Sequence, residues 1–344
     1  MQLKRQETKQ FQSAATHVAE TFHTVVGTGA AFLVIQNGTI VCEQYWGRQG
    51  ADVNVRAVQS DTQFHVASVR KSYIGFAVAY AIYHGHISSI DDPVTTYLPM
   101  LDSLLLNGTT IRHLLTHTHG LHMKEEQIHR EFAPGMGWSY RGVGIEMLAR
   151  IVEKTTGKTI AQILFEQVFH PLGFTQSGWY GSMHEKLVDV IRLPTDKSWR
   201  TSESTAGDQM NMYVSTRELA YWGYLHLKRG MIAGKQLVEK EIIDLATSLQ
   251  SPTLNDKDLP QNGFLWFVKD LPAKNTEIGD CVPKGSYQIL GYTGVTLLVI
   301  PKHDLVAVRM FNSFGSPPGY DYLADVRGFG DRIMQGIDEK ASSI

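Results

Sequence analysis

Cysteine is scarce in this 344-residue chain: only Cys42 and Cys281 occur. Two thiols allow at most one bridge, so no disulfide framework holds the fold and its stability must come from an apolar core. Long apolar runs are missing as well. The N-terminus, Met1-Gln2-Leu3-Lys4-Arg5-Gln6, is polar and carries no secretory signal, and no stretch is long and apolar enough to span a bilayer. The expectation is a cytoplasmic protein, although a chain already freed of a leader would read the same way. Charge of one sign is also lacking. The formal net charge is −2 and no basic block stands out, which argues against a nucleic-acid surface with its clustered Lys and Arg.

What is present is an ordinary globular balance, 43% hydrophobic and 19% charged, enough for a large core and, at this length, for two intimately packed lobes. Ala30–Gln36 reads as a strand, Asn37-Gly38 as a type I′ turn and Thr39–Trp46 as the returning partner. Near the other end, residues 264–269, 287–291, 295–300 and 305–312 are short apolar or alternating runs, with a turn at Pro301–Asp304. Between these ends the pattern is mostly helical. Val143, Met147, Leu148, Ile151 and Val152 recur at helical spacing with Gly157 at the cap position, and Thr216–Leu227 behaves alike. Strands at both ends with helices between predict an α+β protein. One antiparallel sheet is built from both termini and flanked by helices, with a mainly helical region inserted. The expected lobes are 1–65 with 250–344, and 66–249, with a ligand cleft between them.

Several catalytic engines are missing. There is no Gly-x-Ser-x-Gly elbow, no His-Glu-x-x-His and no phosphate loop. His113, His117, His119 and His122 form a patch without a zinc-ligand spacing, so it reads as imidazoles bonding backbone groups, and no metal or cofactor is expected. What remains is Ser68-Val69-Arg70-Lys71, the only Ser-x-x-Lys in the chain. Three residues apart on a helix, Ser68 and Lys71 share a face, and a lysine whose pKa is lowered by burial and positive neighbours can activate a serine hydroxyl. The segment opens an apolar helix after an extended Phe64-His65-Val66, placing a backbone N–H where an oxyanion could be stabilised.

Phe64–Ser72 resembles the first motif of the serine β-lactamase and D,D-peptidase (penicillin-binding protein) family, in its class C-like branch. Asp91–Val94 with Tyr97-Leu98-Pro99, Thr110–Leu121, Pro134-Gly135 with Trp138-Ser139-Tyr140, Ile151–Gly157, Pro171–Phe174 and Gly291–Gly294 resemble further landmarks in the family's order. The resemblance implies a β-lactamase/transpeptidase-like fold and an acyl-enzyme on Ser68. In it Lys71 shares protons with Ser68, and Tyr140, helped by Lys71 and Arg141, relays a proton and activates the deacylating water. The backbone N–H groups of Ser68 and Val295 would form the oxyanion hole. Arg141, Gly142, Tyr292, Thr293 and Gly294 fall at substrate-binding positions. Two positions depart from the pattern. Gly142 stands where the family commonly has Asn, and Tyr292 where it has Lys or His, so a substrate carboxylate loses a cation. The implied partner is a small acyl substrate (ester, amide or β-lactam). Esterase or D-amino-acid peptidase (carboxypeptidase-like) activity is expected rather than efficient β-lactamase activity. The competing expectation is a catalytically impaired binding or regulatory protein of the same fold.

Overall fold

The computed structural model of the protein describes residues 1–193, 196, 199 and 201–341. The strands named below are β1 (Lys4–Arg5), β2 (Gly29–Gln36), β3 (Thr39–Gly47), β4 (Gln63–His65), β5 (Ser177–Trp179), β6 (Met212–Ser215), β7 (Phe267–Lys269), β8 (Ser286–Gly291), β9 (Val295–Ile300) and β10 (Leu305–Phe311). The helices are α1 (Gln12–Thr24), α2 (Arg70–Tyr83), α3 (Val143–Thr156), α4 (Thr216–Leu227) and α5 (Tyr322–Ala341).

Seven strands form the main sheet in the order β1-β3-β2-β10-β9-β8-β7, drawn from both ends of the chain as expected. Its pairs are antiparallel except β1 with β3, which is parallel and makes the sheet mixed. Asn37 and Gly38 take φ of 50° and 69°, the two left-handed conformations that a type I′ turn needs to match strand twist. Strand β7 is shorter than the expected run from Phe264. Leu265 has φ of 67°, and its N–H bonds the carbonyls of Leu115 and Gly263, so residues 264–266 turn before pairing begins.

Period-two alternation divides the sheet's side chains between two faces. Phe32, Val34, Leu298, Ile300, Ala307 and Phe311 pack under the terminal helices α1 and α5. Leu33, Ile35, Leu297, Val299, Val306 and Val308 join the larger core with α2, α3 and α4. That core crosses the expected lobe boundary, because α4, inside the 66–249 region, lies directly on the sheet. Ser215 caps α4 by accepting the Glu218 N–H, and Gly157, with φ of 69°, closes α3.

Helix α2 sits at the centre and is buried on nearly every side. Tyr73 stacks on Trp222 of α4 at 4.2 Å, and the Trp222 indole donates to Ser72 Oγ at 3.0 Å. Each such aromatic pair adds about 1 kcal/mol beyond its buried area. The start of α2 is therefore anchored to the sheet through α4.

Candidate active site

Strand β4 runs between the short strand β6 and the helical core, then breaks at Val66 into a 3-10 turn, Ala67–Val69, that leads into α2. Ala67 adopts φ of 46°, uncommon for a residue with a Cβ. The His65 ring holds this conformation, its Nδ1 accepting the Ala67 N–H at 3.2 Å, while Val69 N–H returns to the Val66 carbonyl at 3.0 Å. Burial first, then Arg70, lowers the His65 pKa to about 3, so the ring is neutral and Nδ1 keeps its lone pair. Strain next to a residue singled out for chemistry is a recurring mark of a functional turn.

The turn presents Ser68 half-buried and Lys71 almost fully buried. Lys71 Nζ lies 3.0 Å from Ser68 Oγ and 2.6 Å from the hydroxyl of Tyr140. A residue 69 positions away in sequence thus completes a row of three polar groups. The Tyr140 ring is clamped between His117, at 4.5 Å, and Phe267 of β7, stacked at 6.2 Å. Its loop is tied by Ser139 N–H to the His117 carbonyl at 2.9 Å and by the Trp138 indole to Asn262 Oδ1 at 2.8 Å.

Burial is the main force on each titratable group of the row. It drives the Lys71 ammonium well below its ordinary value, and the Arg70 charge lowers it further. Burial pushes the Tyr140 phenol up, opposed by the Ser68 hydroxyl and Arg70 and assisted by the Glu277 carboxyl. Of the two partners of Ser68, Lys71 is therefore the one brought toward a neutral proton acceptor. His117 is forced well below its usual value by burial and by Lys71, so it packs on Tyr140 as an uncharged ring.

The end of β8 and the start of β9 close the other side of Ser68. The 3-10 turn packs against both strands, and the Thr293 hydroxyl donates to the His65 carbonyl at 2.7 Å. A Cβ at Gly291 would lie 2.3 Å from Val66 O, so only glycine allows the strand this close to the turn. Gly294 has φ of 83°, and Val295 begins β9, fully buried. Tyr292 is 46% exposed and edges onto Phe314 at 5.0 Å. His65 also lines a cleft of about 450 Å³ with Tyr180, Trp199, Asn211 and Tyr213.

Two sequence expectations change here. Arg141 donates side-on to Glu131 through Nε, at 3.2 Å, and Nη2, and does not join the row. The cation that acts on Lys71 and Tyr140 is Arg70, inside the Ser-x-x-Lys motif itself. Thr293 spends its hydroxyl proton on the turn rather than in the cleft. Gly142 faces open space, with no atom of the described residues within 4 Å of an added Cβ. Sequence reasoning missed His117 and Phe267 as the clamp on Tyr140, and only proximity in space reveals them. In the histidine patch, His113 Nδ1 caps Thr110 at 3.0 Å and His119 Nδ1 accepts Leu121 N–H at 2.9 Å. Cys42 is buried, Cys281 exposed, and both are free thiols. No helix among the described residues is long and apolar enough to cross a membrane.

A helix-borne Ser-x-x-Lys bonded to a distant tyrosine, beside a sheet covered on both faces, defines the penicillin-recognising class of serine hydrolase fold. The Beta-lactamase family matches residues 18–330, and the chain belongs to that family. An uncharacterised protein of Alkalihalophilus pseudofirmus is 59% identical over 97% of this chain and 98% of its own. Esterase EstB of Burkholderia gladioli is 29% identical over 46% of this chain and 49% of the esterase, so the chain spans about half of it. The solved structure of a penicillin-binding protein homologue from Caulobacter crescentus superposes with a TM-score of 0.76 at 18% identity, covering 98% and 99% of the two chains. The family's members include esterases and penicillin-binding proteins alike.

Proposed function

We propose that the protein hydrolyses small acyl substrates through an acyl-enzyme on Ser68, with esters favoured over β-lactams. The observation that carries this reading is the row Ser68–Lys71–Tyr140, with contacts of 3.0 and 2.6 Å, held on a strained turn. In acylation, Ser68 Oγ bonds to the substrate carbonyl carbon as its proton passes to Lys71. The negative oxygen of the tetrahedral adduct is received by the backbone N–H groups of Ser68 and Val295, a type of contact worth about 3 kcal/mol. The adduct collapses when the bond to the leaving oxygen breaks and Tyr140 passes that oxygen a proton, replenished from Lys71. Water then attacks the acyl carbon, losing its proton to the same pair, and the carboxylic acid leaves with Ser68 restored.

The preference for esters rests on Tyr292 and Gly142. Tyr292 offers a neutral hydroxyl where the family's pattern has a cation, and Gly142 offers no amide. Losing a charge-assisted hydrogen bond costs about 1.5–3 kcal/mol, roughly ten-fold or more in rate or affinity for a carboxylate-bearing substrate. An alkoxide or phenoxide also leaves more readily than an amide nitrogen, so an ester asks less of the proton relay. Hydrolysis of a short-chain nitrophenyl ester by wild type and Ser68→Ala tests the reading. Wild type should turn over and the variant should lose at least 10³-fold in kcat/KM; equal rates would remove Ser68 from the reaction.

A further inference from the structure

The cleft beside the Ser68 turn has no part in the reaction described above, yet it is built like a binding site. It measures about 450 Å³ and is lined by the rings of Tyr180, Trp199 and Tyr213 together with His65 and Asn211, a size and lining suited to a small ligand. The His65 ring joins it to the site. Its Nδ1 accepts the N–H of Ala67, one residue before Ser68, at 3.2 Å, and the same ring meets Trp199 at 4.7 Å and Tyr213 at 5.1 Å. From Trp199 the ring contacts continue to Phe314 at 5.1 Å and on to Tyr292 at 5.0 Å, in the Gly291–Gly294 segment beside Ser68. Two buried polar atoms in the lining lack partners, a condition folded proteins rarely leave unexplained. Asn211 is 8% exposed, and its amide donates to the carbonyls of Tyr180 at 2.9 Å and Ser204 at 2.8 Å. That fixes its orientation and leaves Oδ1, an acceptor, without a donor among the described residues. His65 is 3% exposed. With Nδ1 accepting, the neutral ring carries its proton on Nε2, which makes no hydrogen bond of ordinary geometry among the described residues. The Met210 carbonyl faces that ring but already accepts the Met212 N–H at 2.9 Å.

We propose that this cleft is the subsite for the hydroxyaryl group of an ester cleaved at Ser68, a role that rests on the Ser68 reading above and names its substrate class. The aryl ring packs against Tyr180, Trp199 and Tyr213 by the edge and face contacts that aromatic rings favour. Arg192, outside the lining, lies over Trp199 at 5.5 Å and steadies that wall. A phenolic hydroxyl is donor and acceptor at once, so it gives its proton to Asn211 Oδ1 and accepts the one on His65 Nε2. An aliphatic group satisfies neither atom. An anion finds no cation in the described lining, whose one formally charged residue is Glu203, in keeping with the neutral Tyr292 nearby. The same chemistry is carried by the acyl half of a hydroxyarylacetyl ester or by the alcohol half of a hydroxyarylethyl ester, and the test separates the two.

The test compares kcat/KM for ethyl 4-hydroxyphenylacetate and for 2-(4-hydroxyphenyl)ethyl acetate, each beside its phenyl and cyclohexyl analogues, in wild type, Trp199→Ala and Ser68→Ala. In wild type one of the two series, which names the half of the ester that enters, should fall in the order hydroxyphenyl, phenyl, cyclohexyl, with its ends at least about ten-fold apart. Trp199 is half-buried and lies outside helices and strands, so the fold should tolerate its loss. Trp199→Ala should bring the ends of that series within about three-fold of each other, chiefly through KM, whereas damage to the fold would lower all rates together and keep the order. Equal wild-type rates for hydroxyphenyl and phenyl esters, or an order unchanged in Trp199→Ala, overturn the subsite and leave the Ser68 reading standing. Turnover that survives Ser68→Ala, or is absent with every ester, overturns the Ser68 reading. The subsite is then decided by calorimetric titration of 4-hydroxyphenylacetamide into wild type and Trp199→Ala: binding lost in the variant supports it, and binding equal in both or absent from both overturns it.

Discussion

Replacing Gly291 by alanine puts the frame of the site under direct load. The added methyl would lie 2.3 Å from Val66 O and 3.4 Å from Ala67 Cβ, whereas real contacts of this kind do not close below 3.0 Å. About 0.7 Å of movement must therefore be absorbed, the difference between 3.0 and 2.3 Å, and both sides are backbone. On one side is the turn that carries Ser68, on the other the strand end that leads to Val295. Overpacking of this kind costs about 1–3 kcal/mol, and a shift near 1 Å in a catalytic constellation costs about 10²-fold in rate. Gly291→Ala should thus lower kcat/KM on a nitrophenyl ester by about 10²-fold while the melting temperature falls by only a few degrees. Gly328→Ala is the matched control. It lies within α5, its Cβ would meet His17 at an ordinary 3.6 Å, and the change should stabilise slightly and leave the rate alone. A Gly291→Ala protein with wild-type kcat/KM would show that the contact between β8 and the turn does not set the position of Ser68.

Other outcomes follow from the charges. Tyr292→Lys should raise acylation by carboxylate-bearing substrates, such as penicillins, at least ten-fold relative to neutral esters, read as the ratio of the two second-order rate constants. Asp325 accepts from Thr21 and Tyr320 and pairs with buried Arg309 at 2.5 Å. Burial alone would raise its pKa, but Arg309, His17 and Tyr320 outweigh that and hold the carboxyl well below its usual range. Its contribution is complete above about pH 4, where the unfolded carboxyl is ionised, and is lost as pH falls through the lowered native value. Asp325→Asn should cost about 3–5 kcal/mol at pH 7 in denaturant melts, with the gap to wild type narrowing in acid. Glu277 behaves oppositely, since burial raises it to about 7. The stability it contributes is present below about pH 4 and is lost as pH rises through 7, so Glu277→Gln should melt higher than wild type at pH 8 and lose that advantage by pH 5.

Much of the fold was legible where local rules act alone. The Asn37-Gly38 turn, strand β9 at Val295–Ile300 and helix α4 at Thr216–Leu227 follow from turn chemistry and periodicity, and they stand where those predict. Strand β1 was not legible, because Lys4–Arg5 is exposed and polar and owes its pairing to the edge of β3. The three-residue strands β4 and β5, which pair with β6 in a separate small sheet, are too short to show a period. The site divides in the same way. Ser68 and Lys71 are three residues apart, and spacing alone puts them together. Arg141 looked like the cation of Tyr140 because the two are neighbours in sequence, yet the chain brings Glu131 back to neutralise it. Nothing in the sequence says that Arg70 is buried or that the His117 ring lies on Tyr140.

The central claim is that Ser68, activated by Lys71, is the nucleophile. Intact-mass and peptide mapping after exposure to a fluorophosphonate test it most directly. The account predicts one adduct per chain, on Ser68, absent in Ser68→Ala and at least 10²-fold slower in Lys71→Ala at neutral pH. A protein that takes no adduct, or takes it on another residue at the same rate in Ser68→Ala, would contradict it.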